Sequence, residues 1–180
     1  VVHRLLRLLE LYDPSLAGHG RRAALLARDL GSHMGLTVAE VERIEVAAQL
    51  HDVGKLFIPR EILDKPGPLS EPQWVELRRH PRMGYELVRE RVPEEVARIV
   101  LTHHEWFDGT GYPHRLVGPD IPLAARILAV ADAYDAIVSD RVYDRARSIA
   151  TATEEITMGS GTQLDPMVVD AFCDVMAGSL

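Results

Sequence analysis

The stretch from Gln49 to Lys55 constrains the fold of this chain more than any other part of its sequence. It ends an amphipathic segment that begins near Thr37. The residues that share one face of this segment, at steps of three and four, are Val41, Ile44, Ala48, His51 and Lys55. His51 and Lys55 therefore occupy core positions, and Asp52 can reach the same side. Because a buried charge is costly unless it is paired or binds a metal, the pattern predicts a polar site inside the protein.

Helical patterns follow one another along the chain, and no segment alternates as a strand does. Thr37 and Glu40 form a capping-box pattern, and Pro81 is expected to interrupt a helix. The segment 121–138 is apolar nearly all round, which predicts a central helix. We predict an all-α fold, with one compact helical domain over residues 1–180. The expected helices are 1–12, 15–33, 37–55, 70–79, 83–91, 93–104, 121–138, 145–158 and 166–176.

Composition limits the function classes. A net charge of −7 disfavours binding to a nucleic-acid polymer, which usually leaves a basic patch. No apolar run approaches the ~20 residues of a membrane span, so we expect no membrane insertion. The single cysteine, Cys173, excludes an internal disulfide and favours a reducing, cytoplasmic location. Since the sequence does not begin with Met, we expect it to be part of a longer protein.

Polar residues interrupt the apolar faces of four predicted helices. These residues are His19, His51, His103 and Asp132. A single histidine on such a face is most often a hydrogen-bonded core residue. Four such polar residues on separate helices each need a buried partner, and the simplest arrangement is that their side chains meet at one site. Imidazoles and carboxylates that meet in this way form transition-metal sites. His104, beside His103 at a helix end, and His80, at a helix break, can join them, whereas His3, His33 and His114 are expected at the surface.

Several short motifs extend this pattern in order along the chain. They are 51–55 (His-Asp-Val-Gly-Lys), Ile58-Pro59, Lys65-Pro66-Gly67, His80, 103–105 (His-His-Glu), 109–113 (Gly-Thr-Gly-Tyr-Pro) and 132–136 (Asp-Ala-Tyr-Asp-Ala). Together they resemble the HD-GYP family over residues 15–175. This family is an all-helical, metal-dependent phosphodiesterase branch of the HD superfamily, associated with hydrolysis of bacterial cyclic dinucleotides.

The resemblance implies a set of metal ligands, with Asp52 as a bridge between two divalent transition metal ions. One ion would be completed by His51, Asp132 and His19, and the other by His80, His103 and His104. The resemblance favours iron or manganese, and the ligand types are also compatible with zinc. Asp135 is expected to support the site rather than bind a metal. Family members with a third metal carry a Glu four residues before the first His; Ser15 holds that position here, so we predict two metals.

The implied enzyme hydrolyses cyclic di-GMP or a related cyclic dinucleotide to linear pGpG or GMP, by attack of a metal-bridging hydroxide. Asp52 and Lys55 would be catalytic, with Lys55 also contacting the substrate phosphate; the alternative for Lys55 is a salt bridge to Asp52 or Asp132. Tyr112 would contact the substrate or only form a structural turn. Arg141 and Arg145 are the remaining substrate-binding candidates.

The segment after the last Asp departs from the family pattern. It places Asp144 where the family often has a Lys, and a carboxylate there would repel a phosphate unless Arg145 replaces the cation. This departure favours an alternative, a signalling module that binds a cyclic dinucleotide or a protein without turnover. Another HD-type reaction, on mononucleotides or with dioxygen, is disfavoured by Lys55 and the Gly-Tyr-Pro loop. A regulatory domain elsewhere in a longer chain is expected, and the sequence makes no prediction of oligomeric state.

Overall fold

The helical patterns of the sequence form helices in the protein. A computed structural model describes residues 2–139 and 147–178, and within these ranges it contains ten α-helices and two 3₁₀ turns. The helices are α1 (Val2–Tyr12), α2 (Pro14–His33), α3 (Val38–Leu50), α4 (Arg60–Leu63), α5 (Glu71–Leu77), α6 (His80–Val88), α7 (Glu94–Thr102), α8 (Leu123–Val138), α9 (Ile149–Met158) and α10 (Pro166–Gly178). The 3₁₀ turns are Val53–Phe57 and Gly118–Asp120. The only β pairing in the described ranges is an isolated bridge between Ser160 and Leu164, which confirms the predicted all-α class.

Short-range hydrogen bonds fix where the early helices begin. The Asp13 carboxylate accepts from the backbone N–H groups of Ser15 and Leu16 at 3.0 and 3.1 Å, and so caps α2. The predicted capping box at α3 is confirmed, because Thr37 and Glu40 exchange side-chain to backbone hydrogen bonds. Such bonds satisfy N–H groups that have no partner within the helix.

Helix α8 lies at the centre of the protein, as its apolar sequence predicts. It contributes Ala125 and Leu128 to one hydrophobic cluster, which also contains buried residues of α3 and α7. It contributes Ile127 and Val130 to a second cluster, with buried residues of α2, α9 and α10. Helix α2 packs most extensively against α3 and α8. A polar residue on α8 that faces α2 and α3 is therefore placed between the two clusters.

The predicted boundaries of three helices are wrong. Helix α3 ends at Leu50, and Lys55 lies in the following 3₁₀ turn with 24% of its side chain exposed, so it is not a core residue. Pro81 stands in the first turn of α6, where its missing N–H costs nothing, so it opens that helix instead of interrupting one. Helix α9 begins at Ile149 because the Ser148 side chain accepts from the N–H of Thr151.

Within residues 2–139 and 147–178, none of the helices combines the length and the apolar composition that a membrane span requires. The assignment of residues 1–180 to a single domain stays a prediction.

Candidate metal centre

Three buried histidines follow helix ends and are held in the same way. His51 comes directly after α3, His103 directly after α7, and His80 shortly after α5. In each, ring atom Nδ1 lies 2.7 or 2.8 Å from the carbonyl oxygen three residues earlier. The last carbonyls of a helix have no partner within it, so they are free to accept from the ring. Each imidazole therefore keeps its proton on Nδ1 and presents the lone pair of Nε2.

These lone pairs converge on one interior point. His80 Nε2 lies 3.3 Å from His103 Nε2, although two nitrogen lone pairs at this distance repel each other. The rings of His103 and His104 have centroids 4.1 Å apart. Ligand atoms of four residues lie within 4.8 Å of one another: Asp52, His80, His103 and His104. A cation between them would turn the repulsion into attraction.

A second group lies beside the first. It consists of His19 from α2, His51, and Asp132 from α8, again with ligand atoms within 4.8 Å of one another. Asp132 Oδ1 is 2.8 Å from His19 Nε2 and 3.7 Å from His51 Nε2. His51 Nε2 is also 3.4 Å from Asp52 Oδ2, so Asp52 stands between the two groups.

Asp135 contacts His19 at ring atom Nδ1, and Arg22 in turn holds the Asp135 carboxylate. His19 Nδ1 lies 2.6 Å from Asp135 Oδ2, and Arg22 donates two hydrogen bonds to the same carboxylate, at 2.6 and 2.9 Å. Asp135 belongs to neither ligand group. Its carboxylate orients the imidazole and raises its basicity, which is the role that partners of metal-bound histidines take.

The carboxylate of Asp52 is buried and only half satisfied. Its Oδ2 accepts from Lys55 Nζ at 2.6 Å. Its Oδ1 has no hydrogen-bond partner among the described residues, because the nearby His80 Nε2 is itself an acceptor. Burial alone would raise the pKa of Asp52, but the charge of Lys55 holds it well below the ordinary value. An ionised, buried oxygen without a donor fits a metal ligand.

The protonation of the histidines supports the same interpretation. Burial, together with the neighbouring histidines, holds the pKa of His103 well below its usual value and lowers the pKa of His104 to about 3. Burial would also lower the pKa of His19, but hydrogen bonds with Asp132 and Asp135 raise it to about 9. His103 and His104 are therefore neutral imidazoles, and His19 holds a proton that a bound cation would displace.

The Gly-Tyr-Pro loop closes one side of the centre. Its backbone is anchored by the buried Glu105, whose two oxygens accept from the N–H groups of His114 and Leu116 at 2.6 and 3.0 Å. The Tyr112 ring packs on His104 with centroids 4.9 Å apart. No role for Glu105 was predicted, although an acid beside two histidines and before a loop with free N–H groups is a usable signal in the sequence.

The structure brings together all seven side chains that the sequence named as metal ligands, and it places Lys55 and Tyr112 beside them. The histidines expected at the surface, His3, His33 and His114, are exposed. Arg141 and Arg145, the other predicted substrate-binding residues, and Asp144 lie outside the described residues.

Comparison with known proteins gives consistent matches. A family model described as "HD domain" matches residues 4–168. Cyclic di-GMP phosphodiesterase response regulator RpfG of Xanthomonas campestris is 43% identical over 93% of this chain and 45% of its own length. A 3′3′-cGAMP-specific phosphodiesterase 2 of Vibrio cholerae is 36% identical over 94% of this chain and 33% of its own length. The chain thus spans less than half the length of these relatives.

The fold also matches solved structures. A cyclic GMP-AMP-specific phosphodiesterase of V. cholerae, V-cGAP3, superposes with a TM-score of 0.71 at 22% identity, over 88% of this chain and 44% of that one. The HD domain of the Listeria monocytogenes phosphodiesterase PgpH, in complex with cyclic di-AMP, gives a TM-score of 0.70 at 20% identity. That match covers 98% of this chain and 96% of the other. At these identities the likeness concerns the fold alone.

Proposed function

The chain belongs to the HD domain family, in its HD-GYP branch, and on that premise we propose that it is a metal-dependent phosphodiesterase that hydrolyses cyclic di-GMP or a related cyclic dinucleotide. The observation that carries this proposal is the pair of ligand groups that meet at Asp52. Relatives named as cyclic di-GMP and cGAMP phosphodiesterases, aligned over more than nine tenths of the chain, support the substrate class.

The seven side chains of the two groups would hold two divalent transition metal ions, with Asp52 as the shared ligand. Iron, manganese and zinc all accept imidazole and carboxylate ligands. Such ions, when bound, supply Lewis-acid activation of water and of the phosphodiester. The protein contributes Nε2 lone pairs on imidazole rings that are already oriented. The hydrogen bonds from Nδ1 of His51, His80 and His103 to backbone carbonyls hold these rings in place, so they need not reorient when a metal binds.

Lys55 would stabilise charge on the phosphate. Its ammonium group lies between the buried carboxylate of Asp52 and the solvent, with 24% of the side chain exposed. The salt bridge to Asp52 uses one of its three N–H donors, so the remaining donors can meet a phosphate oxygen. The two roles foreseen for Lys55 are thus compatible, because the salt bridge positions the cation at the edge of the centre.

Substrate contacts further out are proposed for Tyr112, Arg141 and Arg145. Burial, with the charge of Asp52, raises the pKa of Tyr112 above its ordinary value, so its hydroxyl stays protonated and can donate. Location in the cytoplasm and a regulatory domain in a longer chain remain predictions.

The proposal is tested with purified protein that is stripped of metal and reloaded without oxygen with iron(II), manganese(II) or zinc(II). Each preparation is analysed for bound metal and incubated with cyclic di-GMP, 3′3′-cGAMP and cyclic di-AMP, with products separated by chromatography. We expect two ions per chain and metal-dependent hydrolysis of at least one guanine-containing substrate. Asp52→Ala should lose both the second ion and turnover.

Three tightly bound ions would contradict the two-metal assignment. Absence of hydrolysis with every metal and substrate would contradict the enzymatic assignment. If calorimetry then showed tight binding of a cyclic dinucleotide without product, the protein would be a binding module.

A further inference from the structure

A column of flat side chains leads from the metal centre to the surface. It begins with His104, on which the Tyr112 ring packs with a tilt of 33° and centroids 4.9 Å apart. The guanidinium carbon of Arg78 lies over the Tyr112 ring at 5.8 Å from its centroid. The same carbon lies 5.7 Å from the ring centroid of Trp74, which is 40% exposed.

The elements of the fold build this column. Trp74 and Arg78 stand four residues apart, on α5 and at its C-terminal cap, so they share a helix face. The next helix begins with the ligand His80, which fixes the end of α5 against the metal centre. Tyr112 comes from the loop that Glu105 anchors.

Arg78 differs from its neighbour Arg79 in having no acidic partner within the part of the chain that the structure describes. Arg79 donates to Glu76 at 2.8 and 3.0 Å, an ordinary surface ion pair. In residues 2–139 and 147–178 no carboxylate lies within salt-bridge distance of the Arg78 guanidinium, which lies over two aromatic faces. Its N–H donors therefore remain available beside a negatively charged ligand at the metals.

The free donors of an arginine favour one kind of base. A guanidinium pairs through two parallel N–H groups with O6 and N7 of guanine, which are both acceptors. Adenine presents N7 and an N–H₂ donor at the same positions, so an arginine can satisfy only one of them. An indole face stacks on any base, because every base has a π face.

We propose that Arg78 reads a guanine base of the substrate and that Trp74 provides the surface on which this base stacks. The inference rests on the proposed function, since a phosphate at the metal centre and Lys55 would direct the attached base along the column. Arg78 acts here as a specificity residue, and Trp74 contributes affinity without regard to the base.

The first test compares kcat and KM for cyclic di-GMP and cyclic di-AMP in matched variants. We expect Arg78→Ala to raise KM for cyclic di-GMP by about tenfold or more, with kcat and the cyclic di-AMP parameters nearly unchanged. Arg78→Lys should not restore the wild-type KM because it lacks the planar fork. Trp74→Ala should raise KM for both substrates alike, and Trp74→Phe should restore it. Arg79→Ala is the matched control and should behave as wild type.

The second test does not depend on turnover. In a Trp106→Phe background Trp74 is the single tryptophan, so its fluorescence reports ligands at the column. Titration with GMP and AMP, with zinc bound, should show quenching at lower concentrations of GMP than of AMP. This preference should disappear in Arg78→Ala.

The two tests separate the possible failures. A GMP preference that depends on Arg78, in a protein that hydrolyses no cyclic dinucleotide, would sustain the inference and contradict the phosphodiesterase assignment. Active protein in which Arg78→Ala affects both substrates equally, or neither, would overturn the inference and leave that assignment standing.

Discussion

Gly54 is the residue of the His-Asp-Val-Gly-Lys motif whose replacement should damage the centre most without removing a ligand. A Cβ atom at this position would lie 1.9 Å from the His80 carbonyl oxygen and 2.6 Å from the Gly84 nitrogen. These are backbone atoms, so no change of rotamer can make room. The 3₁₀ turn would have to move from α6 by about 1.5 Å to reach ordinary contact.

The cost of Gly54→Ala follows from that displacement. Overpacking of a well-filled interior costs about 1–3 kcal/mol, and a clash between backbone segments belongs at the upper end. We expect the free energy of unfolding of the metal-free protein to fall by about 3 kcal/mol. Asp52 lies directly before the turn, two residues before Gly54, and His80 begins the helix on its other side. Since a displacement of ~1 Å can cost about a hundredfold in a positioned site, metal affinity and turnover should fall by at least tenfold.

Urea unfolding followed by circular dichroism, with a metal titration of the same preparations, measures both effects. Gly18→Ala is the matched control, because the nearest atom to a Cβ there is the flexible Arg22 Nη1 at 3.4 Å. Within α2 this change should be neutral or stabilise by up to about 1 kcal/mol. If Gly54→Ala kept wild-type stability and metal affinity, the close approach of the two segments would not exist in the protein.

Three further outcomes are expected. Asp135→Asn should weaken metal binding by about 10- to 100-fold in calorimetry, because His19 loses its charged acceptor; unchanged affinity would show that Asp135 does not orient the ring. Glu105→Ala should lower the free energy of unfolding by about 1–3 kcal/mol in urea, since the N–H groups of His114 and Leu116 lose their buried acceptor; a change within experimental error would mean that water replaces it. Saturation with metal at a hundred times its Kd should stabilise the protein by about 2.7 kcal/mol over the chelated form in thermal unfolding, and an unaltered Tm would contradict a metal site in the folded state.

Local signals in the sequence predicted much of the fold. The capping box at Thr37 and the start of α2 near Pro14 depend on residues within four positions, so they can be recognised in the sequence itself. The apolar residues on nearly all faces of α8 likewise predicted its central position. The end of α3 could not be predicted, because the apolar stripe continues to Lys55 and the chain changes to a 3₁₀ turn where Gly54 packs against α6.

The residues of the candidate site could be predicted from the sequence, but their arrangement could not. The helical periodicity of apolar residues identified His19, His51, His103 and Asp132 as candidates, because a polar residue on an apolar face needs a buried partner. Their arrangement around the half-satisfied carboxylate of Asp52 depends on how distant helices pack.

The sequence by itself determined the helices, the polar residues that they bury and the resemblance that the motifs carry. Only the tertiary structure decided that Asp135 holds His19, that Glu105 anchors the loop, and that Arg78 stands between two aromatic rings. The reason is physical: capping and periodicity act within a few residues of one helix, whereas these contacts join side chains up to 116 positions apart through the packing of separate elements.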